Sequence, residues 1–332
     1  MAISCRDLSR LGTRFRSRPL NRLALNPCFR RTWFWRTCFG CIGRLLLATW
    51  LLAACSQTGS QDPSAPSPQR TLQNKGSDTM VNLALAWAES YRQVDPSLLI
   101  AVTGGGSGTG IAALINGTVD IANASRQMKE DEIAEAQANG IEPVEFVVAI
   151  DALAVAVHPD NPVSRLTIDQ LADIFTGRIT NWKEVGGDDA PIVLLSRETN
   201  SGTHVYFLEE VVRKGEADNK DIFAPQTLLM PSSVGITSEL RRNPNAIGYD
   251  GLGYVDPAHE KLIAVAAGPG SPYVTPSVAS GLDGSYPIAR PLYMYTAGQP
   301  TAATAAYLDW IQGPEGQRIV AALGFVPLSA PE

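Results

Sequence analysis

Cysteine is absent from most of the chain, because all five cysteines lie at or before position 55. We therefore expect no disulfide bond in the long segment that follows Cys55. Cys38 and Cys41 form a C-x-x-C motif, but no second pair follows it, which argues against a zinc site. The chain has only three histidines, no H-x-x-x-H pair and no clustered acids of the kind that two-metal sites use. The sequence therefore favours neither a metal-dependent enzyme nor a bound cofactor.

Acidic and basic residues are distributed unevenly. Residues 1–54 contain ten arginines, no lysine and a single acid, Asp7. The rest of the chain holds 17 basic and 32 acidic residues, a formal charge of about −15. This balance argues against nucleic acid as a partner. It does not argue against a small anion, which local dipoles and single side chains can bind.

The apolar run near the N-terminus is too short to span a bilayer comfortably. It covers residues 45–54, follows Arg44 and ends in L-A-A-C at Cys55. A basic region, a short apolar run and small residues indicate a secretory signal, and the ending is similar to a bacterial lipobox. A membrane or buried helix with a chance cysteine is the alternative. We predict a lipoprotein signal peptide at 1–54, a lipid on Cys55, and a flexible linker rich in Ser, Pro and Gly at 55–70.

One stretch, residues 196–204, concentrates donors for an anion. It lies between an apolar run that predicts a strand and an amphipathic run that predicts a helix at 205–214. The start of a helix offers unpaired N–H groups and a partial positive charge. Ser201 and Thr203 add hydroxyls, Gly202 allows close approach of the backbone, and Arg197 adds a fork of donors. The alternative is that a hydroxyl here only caps the helix.

Two further loops have the same order of strand, hydroxyl-rich loop and helix. The first holds Thr79 and precedes a predicted helix at 81–94; the second holds Ser107 and follows a predicted strand at 98–102. The second loop is not a P-loop, because Gly110 is followed by Ile111 instead of Lys and Ser or Thr. Its glycines also do not match the dinucleotide fingerprint. A plain flexible turn is the alternative for this loop.

Strands that alternate with helices indicate an α/β protein. The apolar run 144–157 is typical of central strands in a covered sheet, and it carries Asp151. A buried acid is costly unless it is bonded, so Asp151 is either a satisfied structural group or part of a site. A serine nucleophile at Ser201 with His204 as its base is the enzymatic alternative, but their spacing across a helix start points them apart.

Six ordered motifs across residues 71–329 resemble the PstS family, the phosphate-binding lipoproteins of bacterial phosphate ABC transporters. The motifs are Gly76–Thr79, Gly106–Gly108, Asp120–Ala122, Ile174–Gly177 with Asn181-Trp182, Ser196-Arg197 with Ser201–Thr203, and Ala246–Tyr249. The resemblance implies a type II periplasmic-binding-protein fold with two lobes joined by two hinge crossovers. Lobe one would comprise residues 71–149 and 250–332, and lobe two residues 150–249.

The resemblance also implies which residues hold phosphate. They are Thr79, the backbone N–H of Met80, Ser107, Arg197, Ser201, Gly202 and Thr203.

This chain departs from the best-known members of the family at two positions. Where those have an aspartate acceptor after the third strand, this chain has Ser125 followed by Arg126, and Thr199 replaces an acid two residues after Arg197. Our hypothesis is that Asp151 supplies the acceptor that separates phosphate from sulfate, with Ser125 as a neutral alternative. We expect Arg126 to be a second cation of the site; the alternative is a surface pair with Glu130.

The resemblance implies a monomeric, non-enzymatic periplasmic protein, anchored through Cys55, that delivers phosphate to ABC permease subunits. A binding protein for another oxyanion, such as sulfate, arsenate or molybdate, is the nearest alternative. A phosphate sensor is a further one.

Overall fold

A computed structural model describes residues 70–329 of the chain. The predicted signal peptide, Cys55 and all of the predicted linker except Arg70 lie outside the described residues, so these three remain predictions. No helix within 70–329 is long and apolar enough to cross a membrane.

Strands and helices alternate along the described residues, as the sequence predicts. The strands are β1 (Arg70–Gly76), β2 (Leu98–Thr103), β3 (Ile121–Ala124), β4 (Val144–Val157), β5 (Arg165–Thr167), β6 (Val193–Arg197), β7 (Leu228–Met230), β8 (Ala246–Gly251), β9 (Lys261–Leu262), β10 (Ala264–Ala266) and β11 (Ala289–Thr296). The helices are α1 (Val81–Tyr91), α2 (Ser107–Ile115), α3 (Glu130–Ala138), α4 (Ile168–Phe175), α5 (Gly202–Phe207), α6 (Ser233–Leu240), α7 (Val278–Leu282), α8 (Ala302–Gln312) and α9 (Pro314–Ala322). A π-helical turn, Leu208–Val212, continues α5.

Nine of the strands form one sheet, in the order β2-β1-β3-β11-β4-β8-β6-β7, with β9 beside β4. Strands β1, β2 and β3 pair in parallel at one end, and β6, β7 and β8 pair in parallel at the other. Between them, β11 and β4 run antiparallel to their neighbours. This arrangement confirms the prediction of an α/β protein.

Strand β4 connects the two halves of the sheet. Its first part, as far as Ala152, pairs with β11, and its last part, from Leu153, pairs with β8. The last part is buried throughout, which fits its unbroken apolar sequence. Asp151 therefore lies within one residue of the point where β4 changes partner.

Separate hydrophobic clusters stabilise the two halves. Around β1 and β2, the sheet packs against α1, α8 and α9, with Trp87 and Tyr307 fully buried. Around β8 and the end of β4, the cluster includes Phe175 and Phe207. The predicted lobe limits at 149/150 and 249/250 remain a prediction. The pairing of β10 with β5 favours counting residues 264–266 with lobe two.

Candidate functional site

Three serine hydroxyls from different loops meet at one place. Ser77 Oγ donates to Ser125 Oγ over 3.0 Å, and the hydroxyls of Ser107 and Ser125 are 3.3 Å apart. The backbone N–H of Ser125 also donates to Ser107 Oγ over 3.0 Å. All three side chains are buried. The loops after β1 and β3 and the start of α2 thus converge, because the carboxyl ends of parallel strands share one edge of a sheet.

Two threonine hydroxyls bridge the two halves next to this group. Thr79 Oγ1 and Thr203 Oγ1 are 2.8 Å apart and buried. Gly202 packs so closely that a Cβ there would overlap the Ser107 hydroxyl and lie 2.7 Å from Ser125 Oγ. Glycine is therefore required for this approach. The structure brings together the predicted residues Thr79, Ser107, Ser125, Gly202 and Thr203.

Arg197 is almost fully buried, at 1% exposure, and binds an acid from the other half of the sheet. Its Nη2 donates to Asp78 Oδ2 over 2.7 Å and to the carbonyl of Pro231 over 3.2 Å. Its Nη1 donates to Ser233 Oγ over 3.0 Å. Thr199 stands where the best-known family members have an acid, and in this structure Asp78 supplies the carboxylate that pairs with Arg197. Asp78 precedes Thr79 in the sequence.

Asp151 is fully buried and forms an ion pair with Arg290 on β11. Arg290 Nη2 donates to Asp151 Oδ2 over 3.0 Å and to Thr203 Oγ1 over 2.8 Å. The backbone N–H of Leu252 donates to Asp151 Oδ1 over 3.2 Å. Burial raises the pKa of Asp151, and Arg290 opposes that shift. Asp151 thus reaches the threonine pair through Arg290, and its predicted role as a phosphate acceptor remains a prediction.

Arg126 binds Glu132 through both terminal nitrogens, over 2.7 and 2.6 Å. Its acidic partner is therefore Glu132 and not Glu130, the partner that the sequence suggested. The guanidinium also lies beside the first turn of α2, where its Nη2 is 3.8 Å from the position of a Cβ on Gly108. Its predicted role as a second cation of the site remains a prediction.

Met80 and Ser201 make local bonds in this structure. The backbone N–H of Met80 donates to the carbonyl of Ser77 over 3.1 Å. Ser201 caps α5, since its Oγ accepts from the Thr203 backbone N–H over 3.2 Å. His204 Nδ1 is 3.1 Å from Ser196 Oγ, and burial lowers the pKa of His204. The imidazole is therefore paired with Ser196 and not with the Ser201 hydroxyl.

A second buried acid, Asp250, is linked to Arg197 through the Ser233 hydroxyl. Its Oδ1 accepts from Ser233 Oγ over 3.0 Å and from the Gly251 N–H over 2.7 Å, whereas its Oδ2 is buried without a partner in residues 70–329. Burial raises the pKa of Asp250 to about 6. Ser233 thus joins this carboxyl to Arg197.

Four further residues belong to this group and were not predicted from the sequence: Ser77, Asp78, Asp250 and Arg290. Ser77 and Asp78 lie inside a motif that was identified but not assigned atom by atom. Arg290 carried one usable signal: it is the only charged residue in β11, and a charge in a covered strand needs a partner. In the described part of the chain, no group of three His, Cys, Asp or Glu side chains is placed to hold a metal ion.

Comparison with known proteins gives consistent matches. A model of the PBP superfamily domain matches residues 62–315. A phosphate-binding protein PstS from Pseudomonas aeruginosa is 34% identical over 314 residues, covering 86% of this chain and 95% of that protein. The Bacillus subtilis protein of the same name is 32% identical over 295 residues, covering 86% of this chain and 93% of its own length.

Solved structures agree with the sequence matches. A Clostridium perfringens structure, described as a phosphate ABC transporter substrate-binding protein with bound phosphate, matches with a TM-score of 0.69 and 33% identity, over 78% of this chain and 100% of that chain. An ABC-type phosphate transport receptor from Vibrio cholerae matches with a TM-score of 0.61 and 28% identity, over 77% and 99% of the two chains. These matches confirm the predicted two-lobed periplasmic-binding fold.

Proposed function

The chain belongs to the PstS family of the PBP superfamily, and we propose that it binds inorganic phosphate between its two lobes and delivers it to an ABC permease. The observation that carries the proposal is the buried cluster of hydroxyls from separate loops, with Arg197 bound to Asp78, the residue before Thr79. A buried oxyanion needs many preorganised donors to replace its water. Serine and threonine hydroxyls and a guanidinium are such donors.

We propose that the phosphate oxygens take the place of the present contacts among these hydroxyls. Thr79, Ser107, Ser125 and Thr203 would then donate to the anion, together with Arg197 and the backbone N–H groups of Met80 and Gly202, with Ser201 as the cap of α5. Arg126 is a further candidate because it lies beside the first turn of α2. Closure of the lobes would be coupled to the ligand, because the donors come from both halves of the sheet.

The proposed role is capture without chemistry. The relatives are solute-binding proteins. His204 is paired with Ser196 and so does not serve Ser201 as the base that the enzymatic alternative requires. We further propose that the protein acts outside the cytoplasmic membrane as a monomer, anchored by a lipid on Cys55. The predicted lipobox supports the anchor.

Calorimetry of residues 56–332, stripped of ligand, tests the proposal with phosphate and then sulfate at about pH 6 and pH 8. We expect phosphate binding with a micromolar or lower Kd. Equal binding of both anions would instead identify a general oxyanion protein. Absence of heat from phosphate would contradict the proposal.

A further inference from the structure

The buried pair Asp151–Arg290 lies between the threonine hydroxyls and the centre of the sheet. The two side chains are 0% and 1% exposed, respectively. Asp151 is on β4 and Arg290 is directly opposite it on β11, close to the point where β4 turns to β8 as its partner. Arg290 Nη2 donates both to Asp151 and to Thr203 Oγ1. A connected chain of bonds thus runs from the centre of the sheet to the Thr79–Thr203 pair.

The number of hydroxyl protons in this series of hydrogen bonds decides how many bonds the threonine pair can donate to an anion. A guanidinium only donates, so Thr203 Oγ1 accepts from Arg290 and keeps its own proton. The two threonines together have two hydroxyl protons, and their mutual bond uses one of them. When phosphate oxygens replace this mutual bond, both protons become free to donate to the anion, and the adjacent group of serine hydroxyls marks where the anion would lie.

Asp151 without Arg290 would have the opposite effect. A bare carboxylate only accepts, so it would attract a hydroxyl proton and repel an anion through the buried, weakly screened space between them. Arg290 pairs with this carboxylate, and its guanidinium donates a hydrogen bond to Thr203 where the bare carboxylate would accept one. The pair thus converts a buried acceptor into a support for donating hydroxyls.

Arg290 is also held in place from its other side. Its guanidinium carbon lies 5.2 Å from the centre of the Tyr206 ring, a cation–π contact. The Tyr206 hydroxyl donates to the carbonyl of Ala289 over 2.9 Å, which fixes the ring. Arg290 Nη1 is buried without a partner among residues 70–329. An unpaired buried donor on a charged group costs free energy until a ligand or a water molecule accepts a hydrogen bond from it.

We propose that Arg290 is a positioning residue of the phosphate site, which keeps the Thr79–Thr203 pair donating to the anion, and that Asp151 acts by fixing Arg290. This inference rests on the proposed function. In this proposal Asp151 supports Arg290 and does not itself accept a hydrogen bond from protonated phosphate.

A double-mutant cycle tests the coupling. Arg290→Gln is expected to weaken phosphate binding about 10- to 100-fold, the range expected for a hydrogen bond from a charged group. In a Thr203→Val background, the same change should cost clearly less, because the hydroxyl that Arg290 positions is gone and only the repulsion from the uncovered Asp151 carboxylate remains. Arg290→Lys should restore part of the affinity. A role in folding alone predicts equal costs in both backgrounds, and that result would overturn the proposal.

The uncharged double variant Asp151→Asn/Arg290→Gln removes the risk that a single change leaves an unpaired buried charge. We expect it to fold and to bind phosphate more weakly than the wild type, but less weakly than Arg290→Gln, which leaves the Asp151 carboxylate uncovered. The matched control is Arg241→Gln/Glu260→Gln, which removes another ion pair with a buried carboxylate, formed over 2.6 Å; it should leave phosphate affinity unchanged. Wild-type affinity in the double variant would overturn the inference while leaving the proposed function intact. Failure of the wild type to bind phosphate would overturn both.

Asp151→Asn alone separates the two roles of this acid. Positioning predicts that phosphate and sulfate binding weaken by the same factor, so that their ratio is unchanged. If Asp151 instead accepted a hydrogen bond from the ligand, Asp151→Asn would weaken the binding of protonated phosphate but not that of sulfate. A change in the phosphate-to-sulfate affinity ratio would therefore overturn the positioning role.

Discussion

At the scale of single residues, the site depends on close packing of hydroxyls against backbone. Gly202 touches both Ser107 and Ser125, two residues that belong to the other half of the sheet. The contact is possible only without a Cβ, because the nearest hydroxyl occupies the position that a methyl group would take. Phosphate binding should therefore be sensitive to one added methyl at this position.

Gly202→Ala should weaken phosphate binding about 10- to 100-fold, because overpacking at a close contact typically costs about 1–3 kcal/mol. Titration calorimetry measures the change. The matched control is Gly268→Ala, since within residues 70–329 no atom beyond its chain neighbours lies within 4 Å of a Cβ there; it should leave affinity unchanged. Equal affinities of the Gly202→Ala variant and the wild type would contradict the close approach.

Asp250 makes stability depend on pH in an identifiable direction. Its pKa rises from 3.8 to about 6 on folding, so the folded state holds the proton more tightly than the unfolded state. Stability contributed by this proton is present at pH 4 and is lost as the pH rises through about 6. Asp250→Asn keeps an oxygen for Ser233 and Gly251 and does not titrate.

Between pH 4 and pH 7, the unfolding free energy of the wild type should fall by about 2.4 kcal/mol relative to that of Asp250→Asn. Urea denaturation of both proteins across this range measures the difference. Because the variant retains the other titrating groups, including His204, their contributions cancel. Parallel pH profiles would show that Asp250 does not titrate in this range.

At the scale of elements, two loops from opposite halves of the sheet are joined by hydrogen bonds next to the serine and threonine hydroxyls. We call these contacts, between Asn200 and residues 105–109, the clasp. Asn200 Nδ2 donates to the carbonyl of Gly105 over 2.9 Å and to Thr109 Oγ1 over 3.2 Å. The carbonyl of Asn200 accepts from the Gly108 N–H over 3.0 Å. Gly106, with φ of 92°, gives the loop before α2 the turn that permits these contacts.

Asn200→Ala should release phosphate about 3- to 10-fold faster, because two side-chain hydrogen bonds across the clasp are lost. Stopped-flow displacement of bound phosphate measures the rate. The matched control is Asn116→Ala; within residues 70–329, this side chain bonds only with the carbonyl of Ala112, in the last turn of the adjoining helix α2. If both variants release phosphate at the wild-type rate, the clasp does not hold the closed state.

The elements also show what the sequence could and could not predict. Helices α1 and α2 and the loops before them were predictable, because apolar spacing and the Gly, Ser and Thr residues near their starts are local signals. Helix α5 begins at Gly202, before the predicted 205. Arg290 was not predictable as a neighbour of Thr203, because β11 reaches the site only by pairing with β3 and β4. Such contacts depend on register between distant strands, which no single segment encodes.

At the scale of the whole molecule, capture of phosphate outside the membrane requires the protein to remain near its permease. The predicted lipid on Cys55 and the linker 55–70 would provide this tether. In the full chain, Cys55→Ser should move the protein from the membrane fraction to the soluble fraction and abolish incorporation of labelled fatty acid. Cys41→Ser, a change inside the predicted signal peptide, is the matched control and should remain in the membrane fraction. Retention of the label by Cys55→Ser would contradict the assigned anchor.

The central claim is that phosphate lies between the lobes among Thr79, Ser107, Ser125, Thr203 and Arg197. A crystal structure of residues 56–332 grown with phosphate tests it directly. The claim predicts tetrahedral density bounded by these side chains, with the Thr79–Thr203 and Ser107–Ser125 contacts replaced by bonds to phosphate oxygens. An empty cluster, or phosphate held elsewhere in the protein, would contradict it.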